Sequence, residues 1–405
     1  MPAATGVIRK PQNTRMDVDA VATEVAVAVG LAEGPAGVAD VLRVIARHEP
    51  VPSSEIARRT ELPVPIVAAV CNELRKRGVV DRARPVRLTA AGRAGVAPLG
   101  GGGAEGITGQ CPCCEGRGVV IPDRAAALLP ALERAAAAMP AAKLDLDQTH
   151  CTADTKLRRV LRMHEAGALA GQRVLVLGDD DLVSVAIAAV AAELGTGFRP
   201  RRLAVVDCDR DLLGYLGGVL DGLGLSADLV EHDVREPLPA PLAGAFDVVT
   251  TDPPYTVAGA ELFLSRAVTA LAGGGGGHVF LSFGARRPEE TLATQRLLSA
   301  MGLTVRSLVP GFNSYTGAGI LGGTSHLYQL RATAGSRPTI TGGFRGPLYS
   351  AASRAAAARP YRCARCGAVH RVGPGARWAT IAALKQVGCP DCGGTVLRPQ
   401  PLEPR

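Results

Sequence analysis

The 405-residue chain carries 45 Lys and Arg against 37 Asp and Glu, ten cysteines, and 47% hydrophobic residues, enough for two to four domains with a sizeable core. No apolar run approaches the roughly 18 residues of a membrane span, and the N-terminus MPAATGVIRKPQNTRMD has no apolar signal region. A cytoplasmic chain with no membrane partner is therefore expected, in which cysteines serve as metal ligands or free thiols rather than disulfides.

Residues 1–33 show no clear pattern and are expected to be a flexible N-terminal segment. From 34 to 97 the pattern becomes helical: GVADVLRVIARH, SSEIARRT and PVPIVAAVCNELRKRG, then VVDRARPVRLTAAGR as two short strands around a turn. Three helices and a hairpin in that span resemble a winged helix. Its third helix has Arg75, Lys76 and Arg77 only at its end and is apolar from Val64 to Val70, so packing or dimerisation is favoured over reading DNA.

Residues 98–139 hold the linker GGGGA, the turn CPCCEGRG and a connecting helix. Cys111 and Cys114 have the spacing of half a zinc site, which Cys113, Cys151, His150 or a symmetry mate would have to complete; a reduced turn fits equally.

Residues 140–335 alternate strands and helices, which predicts a Rossmann-like, doubly wound α/β sheet. An amphipathic helix, LRRVLRMHEAGAL, precedes the first strand, VLVL (174–177), which is followed by Gly178, Asp179, Asp180 and Asp181. LAVVDCD ends the second strand at Asp207, where nucleoside-binding folds hold ribose hydroxyls; a helix cap is the plainer role. DLVEHDV places Asp233 where adenine is commonly contacted, and AFDVVTTDPPYT ends strand four in Asp252, Pro253, Pro254 and Tyr255. Residues 336–360, rich in Pro and Ala, are expected to be a linker. In 361–397, Cys363, Cys366, Cys389 and Cys392 form two CxxC pairs with the spacing of a zinc ribbon, a closed site that folds around its metal.

The charge is unevenly spread. Between Asp145 and Arg331, 16 Lys and Arg face 21 Asp and Glu, a balance of −5 that leaves +13 for the rest of the chain. An acidic site suits a cation better than a phosphate backbone. In S-adenosylmethionine enzymes that modify amino groups, a D/N-PP-Y/F loop supplies two acceptors that aim an amine's lone pair at an electrophilic carbon. Three aspartates beside the donor's amino-acid end would repel its carboxylate. Decarboxylated S-adenosylmethionine, cationic at both ends, fits them, as does a polyamine; one aspartate is explained as a helix cap, three in a row less easily.

With these motifs the chain resembles the branched-chain polyamine synthases, the N(4)-bis(aminopropyl)spermidine synthases, over about residues 35 to 330. The likeness rests on GDDD (178–181) and DPPYT (252–256), with CPCCEGRG, DQTHCTADTKLRR, LFLSR (262–266) and FNSYTGAGILGGTSHLY. The family often has an acidic residue soon after DPPYT; here Val257 and Ala258 follow and Glu261 is the nearest. The resemblance implies aminopropyl transfer from decarboxylated S-adenosylmethionine to the secondary amine of a linear polyamine such as spermidine. Asp252, Pro253, Tyr255 and Asp181 are then expected to be catalytic, and Gly178, Asp179, Asp180, Asp207 and Asp233 to bind the donor. Asp181, Asp252, Tyr255 and Glu261 are expected to bind the acceptor, zinc to be structural, and the chain to be a homodimer. Two other readings stay open: a nucleic-acid amino methyltransferase, favoured by DPPY and the basic flanks, and a polyamine-sensing DNA-binding regulator.

Overall fold

The computed structural model describes residues 16–99, 111, 113–114, 116–143, 146–284, 287–316, 323–349, 359–372, 376–378 and 381–400. The linker GGGGA and most of TGAGILGG lie outside them. The chain divides into two compact units, one built mainly on residues up to Gly116 and the other mainly on residues from Arg117 onward. No single helix among the described residues is long and apolar enough to cross a membrane.

The first unit is helical: α1 (Val18–Val29), α2 (Gly34–His48), α3 (Ser53–Thr60), α4 (Val64–Lys76) and α5 (Ala90–Val96). Helix α1 corrects the expectation of a flexible segment for its described part, 16–33; residues 1–15 lie outside the described residues. Asp17 caps it by accepting from the N–H groups of Asp19 and Ala20, and Gly30 ends it in the left-handed region. Its Val18, Ala22, Val25 and Ala26 recur at helical spacing and are buried with Val38, Val41 and Val70. The expected hairpin is reduced to a bridge of Val80 with Leu88, and Val86 bridges instead to Val51 before α3. The basic end of α4 is tied up: Lys76 pairs with Glu73, Arg77 with Glu73 and Glu24, and Arg75 donates to Asn72.

In the second unit, α6 (Asp123–Ala126), α7 (Leu129–Ala138) and α8 (Ala153–Glu165) precede β1 (Arg173–Leu177). The chain then runs α9 (Val183–Leu194), β2 (Arg202–Asp207), α10 (Arg210–Gly222), β3 (Asp228–Glu231) and β4 (Val248–Thr251). It continues with α11 (Val257–Ala270), β5 (His278–Phe283), α12 (Pro288–Ala300), β6 (Leu303–Ser314) and β7 (Thr324–Ala332). The seven strands lie in the order β3-β2-β1-β4-β5-β7-β6, with β7 antiparallel to β5. Because successive strand residues face opposite ways, Val174 and Val176 pack with α8, α9 and α10, whereas Leu175 and Leu177 pack with α11. The sheet is covered on both faces, as a doubly wound fold requires.

The expected linker over 336–360 is corrected for its described part, 336–349. Arg266 on α11 is 1% exposed, and its guanidinium donates to the carbonyls of Val234, Arg235, Ile340 and Gly342. Leu348 is buried in the α11 side of the core, and its carbonyl accepts from the Thr256 hydroxyl. The segment is a strap whose backbone acceptors satisfy a buried cation. Beyond it, β8 (Arg359–Cys363), β9 (Val369–Val372), α13 (Ile381–Val387) and β10 (Leu397–Pro399) form a ribbon with strand order β10-β8-β9.

Arg266→Met removes those donors while keeping much of the side-chain volume. We expect a loss of about 2–4 kcal/mol in chemical unfolding, since hydrogen bonds from a charged group are lost and buried carbonyls are stranded. Proteolysis within 336–349 should accelerate in parallel; an unchanged cleavage rate would show that the strap is held otherwise.

Candidate active site and metal centre

Strand β1 lies between β2 and β4, and Leu177 pairs with Thr251, so GDDD and DPPY leave adjacent strands at the same edge. Chain order reverses here, and this is where doubly wound sheets open a ligand crevice. Gly178 makes the first turn at φ +73°. At the start of α11, a Cβ on Gly259 would stand 2.4 Å from the Pro254 carbonyl oxygen, so only glycine lets the helix begin this close to the DPPY turn.

The three aspartates diverge in role. Asp179 is buried and accepts from Val183 N at 2.6 Å, Ser184 N at 3.2 Å and the Ser184 hydroxyl. Its carboxylate caps α9, so both of its oxygens already have partners within the protein. Burial raises its pKa to about 7. Asp180 is half-buried, and its Oδ2 accepts from Thr149 N at 3.1 Å. Burial, followed by Asp181, Asp252 and Asp207, pushes its pKa well above the usual carboxylate range. Asp181 is buried and accepts from Cys151 N at 2.6 Å.

Arg159, on α8, joins Asp181 to Asp252. Its Nη1 lies 2.6 Å from Asp181 Oδ2, its Nη2 lies 2.8 Å from Asp252 Oδ2, and its Nε donates to Asn313. Asp252 Oδ2 also accepts from the Tyr315 hydroxyl at 2.5 Å, which in turn accepts from the Tyr255 hydroxyl at 2.7 Å. Tyr255 stands edge-on to Phe283 and Tyr315. The environments of the two acids differ. Burial alone would raise the Asp181 carboxyl, but Arg159 and Lys156 outweigh it and hold the pKa at about 2. For Asp252, burial wins over Arg159, Asp181 adds to it, and the pKa reaches about 7.

Asp207 is bound by the backbone N–H groups of Asp179 and Asp209, one on each carboxylate oxygen. Each oxygen keeps a further lone pair. Asp233 is held by the side chain and backbone of Arg235. Although burial opposes it, Arg235 keeps the Asp233 carboxyl below its usual range. Pro253 is buried, and Glu261 is half-buried on α11. Pro253 O and the Glu261 carboxylate make no hydrogen bond among the described residues.

Arg159, Tyr315, Asn313 and Lys156 were not predicted as site residues, although they lie in segments that carry the resemblance. Lys156 is fully buried, and its ammonium donates to the Cys151 carbonyl. Periodicity makes α8 an amphipathic helix; it does not reveal that three of its cations, Lys156, Arg158 and Arg159, are buried in the protein.

In the ribbon, the sulfurs of Cys363, Cys366, Cys389 and Cys392 all lie within 4.8 Å of one another. Cys363 and Cys392 are 3.5 Å apart, and Cys366 and Cys389 are 3.6 Å apart. A disulfide needs about 2.05 Å, whereas two thiolates on one tetrahedral ion stand about 3.8 Å apart, so the cluster fits a metal. N–H groups of Cys366 and Arg365 lower the Cys363 thiol to about 6, toward the thiolate a metal needs. Cys111 and Cys114 gather with no third ligand among the described residues.

Residues 128–333 match the branched-chain polyamine synthase A C-terminal domain, and residues 35–87 match the MarR family. The chain is 34% identical to the N(4)-bis(aminopropyl)spermidine synthase of Thermus thermophilus, over 77% of this chain and 84% of that one. It is also 34% identical to an uncharacterised Methanocaldococcus jannaschii protein, over 90% of this chain and 88% of that one. The crystal structure of the Thermus thermophilus branched-chain polyamine synthase, in complex with N4-aminopropylspermidine and 5'-methylthioadenosine, superposes with a TM-score of 0.64 at 28% identity. That match spans 83% of this chain and 98% of the other. On the domain match and these relatives, the chain belongs to the branched-chain polyamine synthase family.

Proposed function

We propose that the chain transfers aminopropyl groups from decarboxylated S-adenosylmethionine to the secondary amine of a linear polyamine such as spermidine, releasing methylthioadenosine. The observation that carries this reading is the carboxylate excess at the switch point. Asp180, Asp181, Asp207 and Asp252 influence one another there, with Arg159 and Lys156 as the compensating cations. Such a site calls for cationic ligands. The product and nucleoside held by the Thermus thermophilus relative support the same class of reaction.

In the step, the amine lone pair attacks the propyl carbon bonded to the sulfonium, and the carbon–sulfur bond breaks with its electron pair going to sulfur. A neutral thioether leaves, and the amine's proton passes to Asp252. A carboxylate with a pKa of about 7 is matched to accepting that proton at neutral pH. Arg159 and Tyr315 both bind Asp252 Oδ2, which leaves Oδ1 to take the amine hydrogen, and the Pro253 carbonyl gives the second acceptor. Tyr255 lies against the reacting nitrogen. Asp180 receives the donor's ammonium, whose charge offsets the burial and neighbouring acids that otherwise keep this carboxyl protonated; Asp181 adds negative potential, and Glu261 faces the far end of the acceptor. Asp207 binds the ribose hydroxyls, and Asp233, locked to Arg235, borders the adenine. The four ribbon cysteines would hold a structural zinc, closed by thiolates on all sides.

The donor's carboxylate is the discriminating group. Decarboxylated S-adenosylmethionine should bind at least tenfold tighter than S-adenosylmethionine, about 1.4 kcal/mol by calorimetry, and Asp180→Asn should narrow that gap. Equal affinities in the unmodified protein would sink the aminopropyl reading.

Asp252→Asn should reduce turnover by about 10²-fold or more, with donor affinity little changed. Since the native group must be ionised to accept a proton, native turnover should fall as pH drops through about 7. The variant should lose that limb and recover in part at high pH, where free amine is supplied from solution.

Arg159→Lys replaces a fork with one ammonium that cannot reach both carboxylates. Arg159 lowers the Asp252 pKa, so its loss should move the acid limb of the pH–rate profile to higher pH. A defect that only scales turnover, without moving the limb, would make Arg159 merely structural.

A further inference from the structure

The ribbon's solvent face holds a surplus of positive charge among the described residues. Residues 359–400 contain seven Lys and Arg and a single Asp. In the ribbon sheet, Arg362 stands directly opposite Arg398 on β10 and Val369 on β9, and Arg371 pairs with Pro360 one step along the same face. Directly opposite residues share a face, as do residues two apart on one strand, so Arg362, Arg371 and Arg398 project together. The other face carries Cys363 and Leu397 into the ribbon core.

All three arginines are exposed. Arg362 donates to the Gly367 carbonyl and to Gln400, and none of the three has a carboxylate partner among the described residues. Like charges directly across a strand pair destabilise a sheet. By contrast, the cations at the end of α4 are each tied to a side chain of their own domain. Adjacent strands lie about 4.8 Å apart, so the three stems span about 10 Å, the axial rise of about three base pairs of a duplex.

We propose that the solvent face of the ribbon sheet, built from Arg362, Arg371 and Arg398, docks on the phosphate backbone of double-stranded DNA. The three positions contact solvent through guanidinium groups and carry no aromatic side chain, so the surface senses charge and not sequence. The proposal is independent of the transfer chemistry. None of the three arginines belongs to the proposed transfer site, so loss of docking and loss of turnover are separable.

The test uses the full-length protein with zinc bound and a fluorescent 30-base-pair duplex of mixed sequence, titrated by anisotropy between about 50 and 200 mM salt. Arg362→Gln/Arg371→Gln/Arg398→Gln should weaken binding at least tenfold at low salt. It should also lower the slope of log affinity against log salt by about 3, while zinc content and aminopropyl transfer stay at native levels. A second variant changes Arg82, Arg84 and Arg87 of the first unit to Gln and should bind like the native protein. The proposal is overturned if the native protein does not bind the duplex, or if the ribbon variant binds unchanged. It is equally overturned if only the second variant loses binding, or if phosphatidylserine vesicles are bound as tightly as DNA through the same three arginines.

Discussion

The guanidinium of Arg159 lies between two carboxylates that, buried together without it, would repel each other and not both remain ionised. It is itself buried and depends on Asp181, Asp252, Tyr315 and Asn313 to fill its donor positions. Removing one member of such a group strands the others, at a cost of about 3–5 kcal/mol. The helix before the sheet, the end of β1, the end of β4 and the end of β6 are thereby fixed to one another. The site's geometry and its electrostatics have the same origin.

One cation does not treat the two acids alike. Asp181 has the guanidinium, a backbone N–H and the potential of Lys156, and it keeps its charge. Asp252 has the guanidinium and a tyrosine hydroxyl, but it also feels Asp181, and its affinity for a proton rises to the neutral range. Paired titratable groups whose environments drive them apart divide the labour of acid–base chemistry. In the proposed reaction the permanently charged member attracts a cation, and the other takes its proton.

Much of this was legible in the sequence. Apolar strands followed by acidic termini give the sheet and its switch point, and DPPY after strand four places the acceptor pair. CxxC spacing gives the ribbon. What the residues did not show was occupancy. GDDD reads as three equivalent charges, yet Ser184 and the start of α9 take up Asp179. Helix α1 was missed although Val18, Ala22, Val25 and Ala26 keep helical spacing, because alanine and valine fill the other positions too and blur the contrast. The strap at 336–349 has a linker's composition. Its order comes from Arg266, about 70 residues upstream, and no local pattern records a partner that distant.

The antiparallel placement of β7 between β5 and β6 also affects how the protein is made. The ends of β6 and β7 supply Asn313, Tyr315 and Ser325 to the network around Asp252. Domains fold as units during synthesis, with N-terminal parts emerging first. A ribosome-bound chain that has reached β5 already possesses both acidic motifs and the parallel part of the sheet, but Arg159 has no Asn313 and Asp252 has no Tyr315. The unfinished chain holds the acids and their cation without the amide and hydroxyl groups that complete their hydrogen bonds. The site's hydrogen bonds are complete only once the last two strands of the sheet have been inserted.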